Sequence, residues 1–545
     1  MRRRPLLVLT SIATVLVAPA AASAVVVTPD ATGTFEVAVA PDAGGGALLA
    51  WIAATSRGQA LRIRERAADG RYGPVQELLH ARVLVTPSVA VGADGSALVL
   101  VGGSAGNAAF PSEIVALRRA GRDQPFASPE VVARADGYAS VLSAAANPAG
   151  DVVAVTQANR EGTVVSTHTG LAPATLTALG PVGTAGAAIG NGGRVVVATY
   201  ADGQRDVLVR SWQTGSPVGE ARILTRLRSR PDLHAAVDAQ GTATVAFARD
   251  LPGNAIGVVA ARSRVGQPFA SPVVLDHGPN AQIADVAAGG TKTAVAWSAL
   301  TSPREPVRVA FARGAEGFDG VQAPGTPTLR LRGTAGRVPS SANRPRVAVS
   351  PAGDVALAYG YGPFQAVHTT LRRAGAARFG APRVLTALGR GGLPTPVFLS
   401  GRTAFVATAD GTAITAATAS TGRKLLLRPP GLSTTPLSVR ELRSHGTVTT
   451  RVRCSTPCVV QVSARITTGI ARSPGPSGQR ISRQGRRAVV LTPAGAVLPV
   501  TFTLPAAGRE AFARTGRASA KVIVTVADVY GAARSSRETF DVGRR

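Results

Sequence analysis

The stretch DLHAAVDAQGTATVAF, residues 232–247, alternates small and larger apolar positions up to Val237. It breaks at Asp238 to Gly241 and resumes alternation to Phe247. Two short strands around a glycine-bearing turn read as an antiparallel hairpin. The same form recurs along the chain: FEVAVAPDAGGGALLAW (35–51), PSVAVGADGSALVLV (87–101), VLSAAANPAGDVVAVT (141–156) and GAAIGNGGRVVVATY (186–200) precede it. IADVAAGGTKTAVAW (283–297), RVAVSPAGDVALAY (346–359) and PVFLSGRTAFVAT (396–408) follow it.

The turn glycines, Gly45, Gly95, Gly150, Gly193, Gly241, Gly290, Gly353 and Gly401, lie 43 to 63 residues apart. That period suits about four short strands rather than one hairpin. A second motif fills the interval: a strand with alternating Arg and apolar residues, then Phe or Tyr beside Gly or Pro, then another short apolar strand. It reads LRIRERAADGRYGPVQEL at 61–78 and TTLRRAGAARFGAPRVL at 369–385, and the hexapeptide QPFASP occurs twice, starting at Gln124 and Gln267. A four-stranded sheet of this size must stack on neighbours to complete a core. The chain is therefore expected to be all-β, a seven- or eight-bladed β-propeller over 25–424, with a strand near Val25–Val27 completing the last unit. An open solenoid normally has a shorter repeat.

Ahead of the repeats, Met1-Arg2-Arg3-Arg4 precedes an apolar run from Pro5 to Val17 and the small residues Ala22-Ser23-Ala24. This is the form of a secretory signal peptide over 1–24, with cleavage expected near Val25. No later stretch is apolar enough for a membrane helix, so a secreted or cell-surface location is expected.

From about Leu425 the period stops, and Pro429-Pro430-Gly431 reads as a linker. Residues 425–545 read as a small C-terminal β-sandwich, immunoglobulin-like or fibronectin III-like, with strands at 447–453, 459–466, 487–492, 498–503, 520–527 and 537–542 and a short helix at 506–514.

The hairpin-plus-aromatic unit resembles exported propellers of the sialidase-like, BNR-repeat type found in high-GC actinobacteria, over roughly residues 30–415. That family's Asp-box reads Ser-x-Asp-x-Gly-x-Thr-Trp. Asp42, Asp94 and Asp238 near the turns, with Trp51 or Phe247 ending the strand, match only fragments of it, so the resemblance implies architecture rather than activity. The segment from Arg451 to Val462 resembles the C-terminal β-sandwich modules of many actinobacterial exported proteins, which act as spacers or adhesion units.

The formal charge is +29, yet Lys292, Lys424 and Lys521 are the only lysines, a skew that coding bias produces without selection for binding. Basic side chains outnumber acidic ones 38 to 26 over residues 25–425 and 19 to 5 beyond. Aromatics at 4% of the chain argue against nucleic acid bound by base stacking.

Cys454 and Cys458 are the only cysteines, and in an exported chain they are expected to form a disulfide across the turn at Pro457. Trp51 and Trp297 are expected in the core between blades, because Trp51 occupies the position taken by Phe247 and Tyr359 in their own repeats.

No cofactor motif is present. His80, His168, His234, His277, His368 and His445 are solitary, with no metal-ligand spacing. Glu113, Asp232, Asp285 and Asp354, with six tyrosines, permit a glycosidase site without specifying one. An insertion from Gln322 to Arg344 carries Arg330, Arg332, Arg337 and Arg344, and a Gly- and Ser-rich loop carries Arg480, Arg483, Arg486 and Arg487. Both clusters could bind anions, though a solvated tether and a solvated basic loop are the preferred readings. The expected function is a non-enzymatic binding or scaffold protein at the cell exterior, with a cell-wall polymer, glycan or another exported protein as partner. The competing readings are a carbohydrate-active hydrolase or lyase with its site at the ring centre, and capture of anionic polymers by the basic C-terminal domain.

Overall fold

The computed structural model describes residues 25–28, 37–104, 111–135, 138–158, 162–168, 175–201, 203–251, 255–277, 281–299, 307–324, 342–361, 366–386, 394–399, 403–409 and 414–418, and seven strands between 432 and 542. Among the described residues, eight antiparallel sheets follow one another between Val25 and Thr418. Sheet 1 runs Val37–Pro41, Ala47–Thr55, Gly58–Arg66 and Gln76–Ala81 from inside to outside.

The next four repeat that order. Sheet 2 begins at Leu84–Val91, sheet 3 at Ala139–Ala146, sheet 4 at Thr184–Ile189 and sheet 5 at Leu233–Val237. Sheet 6 has three strands, Ala281–Gly289, Lys292–Ala299 and Val307–Arg313; sheet 7 begins at Ala342–Val349. In sheet 8, Thr395–Phe398, Ala404–Ala409 and Ile414–Thr418 are completed by Val25–Thr28 as the outermost strand. Each inner strand lies against that of the next sheet, and Thr395–Phe398 lies against Val37–Pro41. The ring closes, as the expected seal by the strand near Val25 requires.

One hairpin geometry sets the repeat. In sheet 5 the Gly241 N–H donates to Asp238 O (2.9 Å) and Asp238 N–H to Thr242 O (3.0 Å), with Gly241 at φ 77°. This is a type I turn followed by a left-handed residue, which glycine adopts without strain. Gly45, Gly95, Gly150, Gly193 and Gly353 take φ between 78° and 89° at the same place. The first turn residue supplies a side-chain acceptor: Asp238 Oδ1 accepts from Gln240 N and Thr242 N (3.0 and 2.8 Å), and Ser350 Oγ accepts from Asp354 N (3.0 Å). Successive turns are also bonded to each other. Asn147 Nδ2 donates to Gly190 O (3.3 Å), Arg194 Nη1 to Gly241 O (2.5 Å), Ala239 N to Gly290 O (2.8 Å) and Lys292 Nζ to Gly353 O (2.9 Å). These bonds stitch one face of the ring from sheet 3 to sheet 7.

The tryptophans lie between sheets. Trp51 is buried with Val37, Phe405 and Ile414 across the ring seam, and Trp297 is buried among residues of sheets 5 and 6. Trp297 Nε1 donates to Asp276 Oδ2 (2.6 Å), while Arg308 Nη1 donates to both Asp276 oxygens (2.8 and 2.9 Å). Asp276→Asn weakens both charge-assisted bonds in a buried setting. A loss of about 2 kcal/mol is expected, read by urea denaturation; an unchanged midpoint would show that the carboxylate charge does not contribute.

Two sequence expectations are corrected. Gln322 and Arg344 do not belong to one inserted loop: Gln322 bridges to Val309 through paired backbone bonds of 2.8 Å, and Arg344 lies within the strand Ala342–Val349. Residues 325–341, with Arg330, Arg332 and Arg337, lie outside the described residues. Likewise Arg483, Arg486 and Arg487 lie not in a loop but in the strand Ile481–Thr492, because Cys458–Thr468 pairs along its length, from Thr468↔Ile481 to Cys458↔Thr492. Arg480 and most of the expected helix fall outside the described residues. That strand forms one edge of a four-stranded sheet with Cys458–Thr468, Ala518–Asp528 and Ala533–Val542, and charged residues suit an unpaired edge. A second sheet joins Leu432–Thr434, Thr447–Cys454 and Val497–Thr503.

Candidate functional site in the central channel

The inner strands place equivalent residues of successive repeats at common levels of the channel. Two residues before the turn stand Ala40, Ala90, Ala145, Ala188, Ala236, Ala287 and Ala348, with Val397 in sheet 8. Backbones converge here, and a methyl group fills the space left between neighbouring strands. Two residues earlier in each strand, the level changes character. Ala38, Ser88, Ser143 and Gly186 occupy sheets 1 to 4, followed by His234, Asp285, Arg346 and Thr395 in sheets 5 to 8. Small side chains thus line one arc, and imidazole, carboxylate and guanidinium follow in succession on the other.

Three side chains at this level bond to the next sheet. Ser143 Oγ accepts from Ala187 N (2.9 Å), Asp285 Oδ2 from Val347 N (2.8 Å), and Thr395 Oγ1 donates to Val37 O (2.8 Å). His234 Nδ1 stands 3.6 Å from Asp285 Oδ1, as does Arg346 Nη1. The backbone bond fixes Asp285 in rotamer and position, leaving its other oxygen between the histidine and the arginine. Side-chain exposures of 20% for His234, 15% for Asp285 and 34% for Arg346 leave the arc partly accessible to solvent. Burial pushes the His234 imidazole below its ordinary range and Arg346 acts the same way, against Asp285 and Asp232. At neutral pH His234 is therefore an uncharged ring beside a carboxylate, able to donate or accept a hydrogen bond.

The other acids noted from the sequence are placed structurally. Glu113 pairs with Arg134 (3.0 Å), and buried Asp354 accepts from Arg373 Nη1 and Ala374 N (3.1 and 2.6 Å). Asp232 is exposed, two residues before His234. Tyr200 and Tyr359 are buried in the sheets, and Arg64 lies over the Tyr72 ring at 5.3 Å. Among the described residues, no group of three or more His, Cys, Asp or Glu could hold a metal, and no helix is long and apolar enough to cross a membrane. Sequence reading missed the His234–Asp285–Arg346 arc. Its signal was present: all three stand four residues before the first residue of their turns, but the tighter turn at Gly289–Lys292 hides this from alignment on the glycines.

No protein-family model matches the chain, and no curated protein matches it in sequence. Solved structures show general likeness only. A prolyl endopeptidase shares 12% identity at a TM-score of 0.42, over 68% of this chain and 54% of its own, so this chain spans about half of it. The propeller domain of the Trilobed protease from Pyrococcus furiosus shares 10% at 0.37, over 64% of this chain and 98% of that domain. The Hadza microbial sialidase Hz136 shares 11% at 0.35, over 67% and 74%. The class is defined by the ring itself: successive antiparallel sheets of three or four described strands, closed by a strand from the opposite end of the chain, make this protein a β-propeller.

Proposed function

We propose that this protein is an exported binding protein: an eight-bladed propeller whose channel arc recognises a small hydrogen-bonding group, followed by an immunoglobulin-like β-sandwich that serves as spacer. The observation that carries this reading is the convergence of His234, Asp285 and Arg346 from three successive sheets at one level of the channel. The arc offers a donor, an acceptor and a neutral imidazole above a layer of alanines that contributes shape but no chemistry. Export rests on the leader ending at Ala24, and the ring-closing strand begins at the next residue. Cys454 ends a strand of one C-terminal sheet and Cys458 begins a strand of the other, so a disulfide between them would tie the two sheets together.

Co-sedimentation of residues 25–545 with purified peptidoglycan sacculi tests the reading. Asp285→Asn and Arg346→Ala are expected to reduce the bound fraction at least fivefold, while chains truncated after residue 424 keep binding. A bound fraction indifferent to both substitutions but lost on truncation, and falling steeply with salt, would move recognition to the basic C-terminal strands. The second reading, a hydrolase, is favoured by one observation: a neutral histidine beside a carboxylate is a general-base arrangement. Release of reducing ends that disappears in His234→Gln would replace the binding reading with that one.

A further inference from the structure

A cleft of about 730 Å³ opens between sheets 4 and 5, on the outer side of the ring and away from the channel. Its size falls within the range of small-molecule sites, about 300–1,000 Å³. A difference between repeats accompanies the opening. Arg66, Arg119 and Arg372 each pair with the first residue of the neighbouring strand, at the end of the third strand of sheets 1, 2 and 7. All three guanidinium groups reach back into the gap with the preceding sheet. Arg66 lies over Phe405 (5.4 Å), Arg372 over Phe311 (4.4 Å), and Arg119 pairs with Glu65. In sheet 5 the equivalent residue is Ser263, which pairs with Ala243.

The duplicated hexapeptide makes this an internal control. QPFASP follows Arg119 in sheet 2 and Ser263 in sheet 5, and both copies fold alike: Ala127 N donates to Arg118 O (2.7 Å) and Ala270 N to Arg262 O (2.8 Å). Where Arg119 lies over Phe126 at 5.3 Å, the gap to the preceding sheet is about 170 Å³. With serine in place of arginine, the gap is more than four times larger and Phe269 lines it.

The lining selects a ligand class. Arg194 forms the floor, its donors taken by Gly241 O, Ser263 O, Ser263 Oγ and Ser211 Oγ, with Asp238 opposing its charge. The rim carries Gln213 and Gln267, and Glu220 and Arg222 offset each other in charge. Ile223 and Val265, both more than half exposed, stand on opposite walls. In the wall, the buried Trp212 Nε1 has no hydrogen-bond partner among the described residues. Planar amides that both donate and accept, combined with aliphatic and aromatic walls and balanced rim charge, match a ligand rich in hydroxyls with C–H faces.

We infer that the cleft between sheets 4 and 5 binds a neutral oligosaccharide. This is a second site, independent of the channel, because no side chain of the channel arc lines it. The test is an array of neutral gluco-, galacto-, manno- and N-acetylglucosamine oligosaccharides, with sialylated and sulfated ones beside them, probed with residues 25–545. The best neutral glycan is then titrated by calorimetry. Ser263→Arg, which restores the plug of sheet 2, is expected to weaken binding at least tenfold. Gln267→Ala, an exposed position whose loss leaves the melting temperature unchanged, is expected to weaken it at least threefold, and Asp285→Asn in the channel to leave it unaltered. An array bound by no neutral glycan, or affinity indifferent to both cleft substitutions, overturns the inference. Loss of glycan binding in Asp285→Asn alone would place the sugar in the channel and overturn it as well.

Discussion

Deletion of Val25–Thr28 is expected to lower the stability of the ring by about 5 kcal/mol and its melting temperature by about 10 °C. The strand pairs Val25 with Ala416, Val26 with Thr415 and Thr28 with Ile414, and buries Val27 against the seam between sheets 8 and 1. Arg64 of sheet 1 donates to Val27 O, so the strand is held from both sides of the seam. Each ladder bond contributes about 1 kcal/mol net, and burying a valine adds about 2 kcal/mol. Without the strand, Ile414–Thr418 becomes an exposed edge with unpaired amides, an invitation to association between chains. Hydrogen exchange at 414–418 and differential scanning calorimetry check this. Protection that survives the deletion, with an unshifted melting curve, would show that the seam between Thr395–Phe398 and Val37–Pro41 closes the ring by itself.

Acid weakens this protein through His368 by an expected 3 kcal/mol or so. The ring is 1% exposed in sheet 7 and stacks on Tyr359 at 5.7 Å, and burial lowers its pKa to about 4. An exposed imidazole in the unfolded chain titrates near 6.5. As pH falls, the unfolded chain takes up this proton first, so the contribution is complete above about pH 6.5 and is lost progressively down to about pH 4. Carboxylates also titrate near the lower end of that window, and they do so in wild type and variant alike. His368→Phe keeps an aromatic ring against Tyr359 and removes the titration. Urea denaturation at pH 7.5 and pH 4.5 should therefore show a fall in stability about 3 kcal/mol smaller in the variant. Equal falls in the two proteins would mean that the buried ring is protonated as easily as a free one.

These two effects belong to the scaffold, whereas the proposed cleft also presents exposed side chains at its rim. Ser211, Gln213 and Gln267 are exposed, and the channel arc occupies a level where alanine, serine and glycine serve equally well in other sheets. A rigid ring tolerates variation at such positions, and binding groups accumulate on supports of this kind.

The hairpins, the ring and its closing strand could be read from the sequence because they depend on local chemistry. A turn needing positive φ selects glycine at Gly45, Gly95, Gly150, Gly193, Gly241 and Gly353. Alternation marks the strands, and a period near 51 residues sets the unit that must stack. Trp51, Phe247 and Tyr359 could be assigned to the core for the same reason, since a shared position in each repeat implies a shared environment, and all three are buried. The tertiary structure alone decided which side chains meet. His234, Asp285 and Arg346 are separated by 51 and 61 residues in the chain, and only the inward convergence of three strands brings them to one level. Arg483, Arg486 and Arg487 read as a loop because arginine has no strand signature of its own; pairing with Cys458–Thr468 made them an edge strand. Ser263 looked unremarkable beside a repeated hexapeptide, because the cleft beside it is completed by Arg194 and Trp212 of sheet 4, distant in the chain. Local backbone preference is written residue by residue, whereas a site is a relation between distant residues that exists only once the ring has closed.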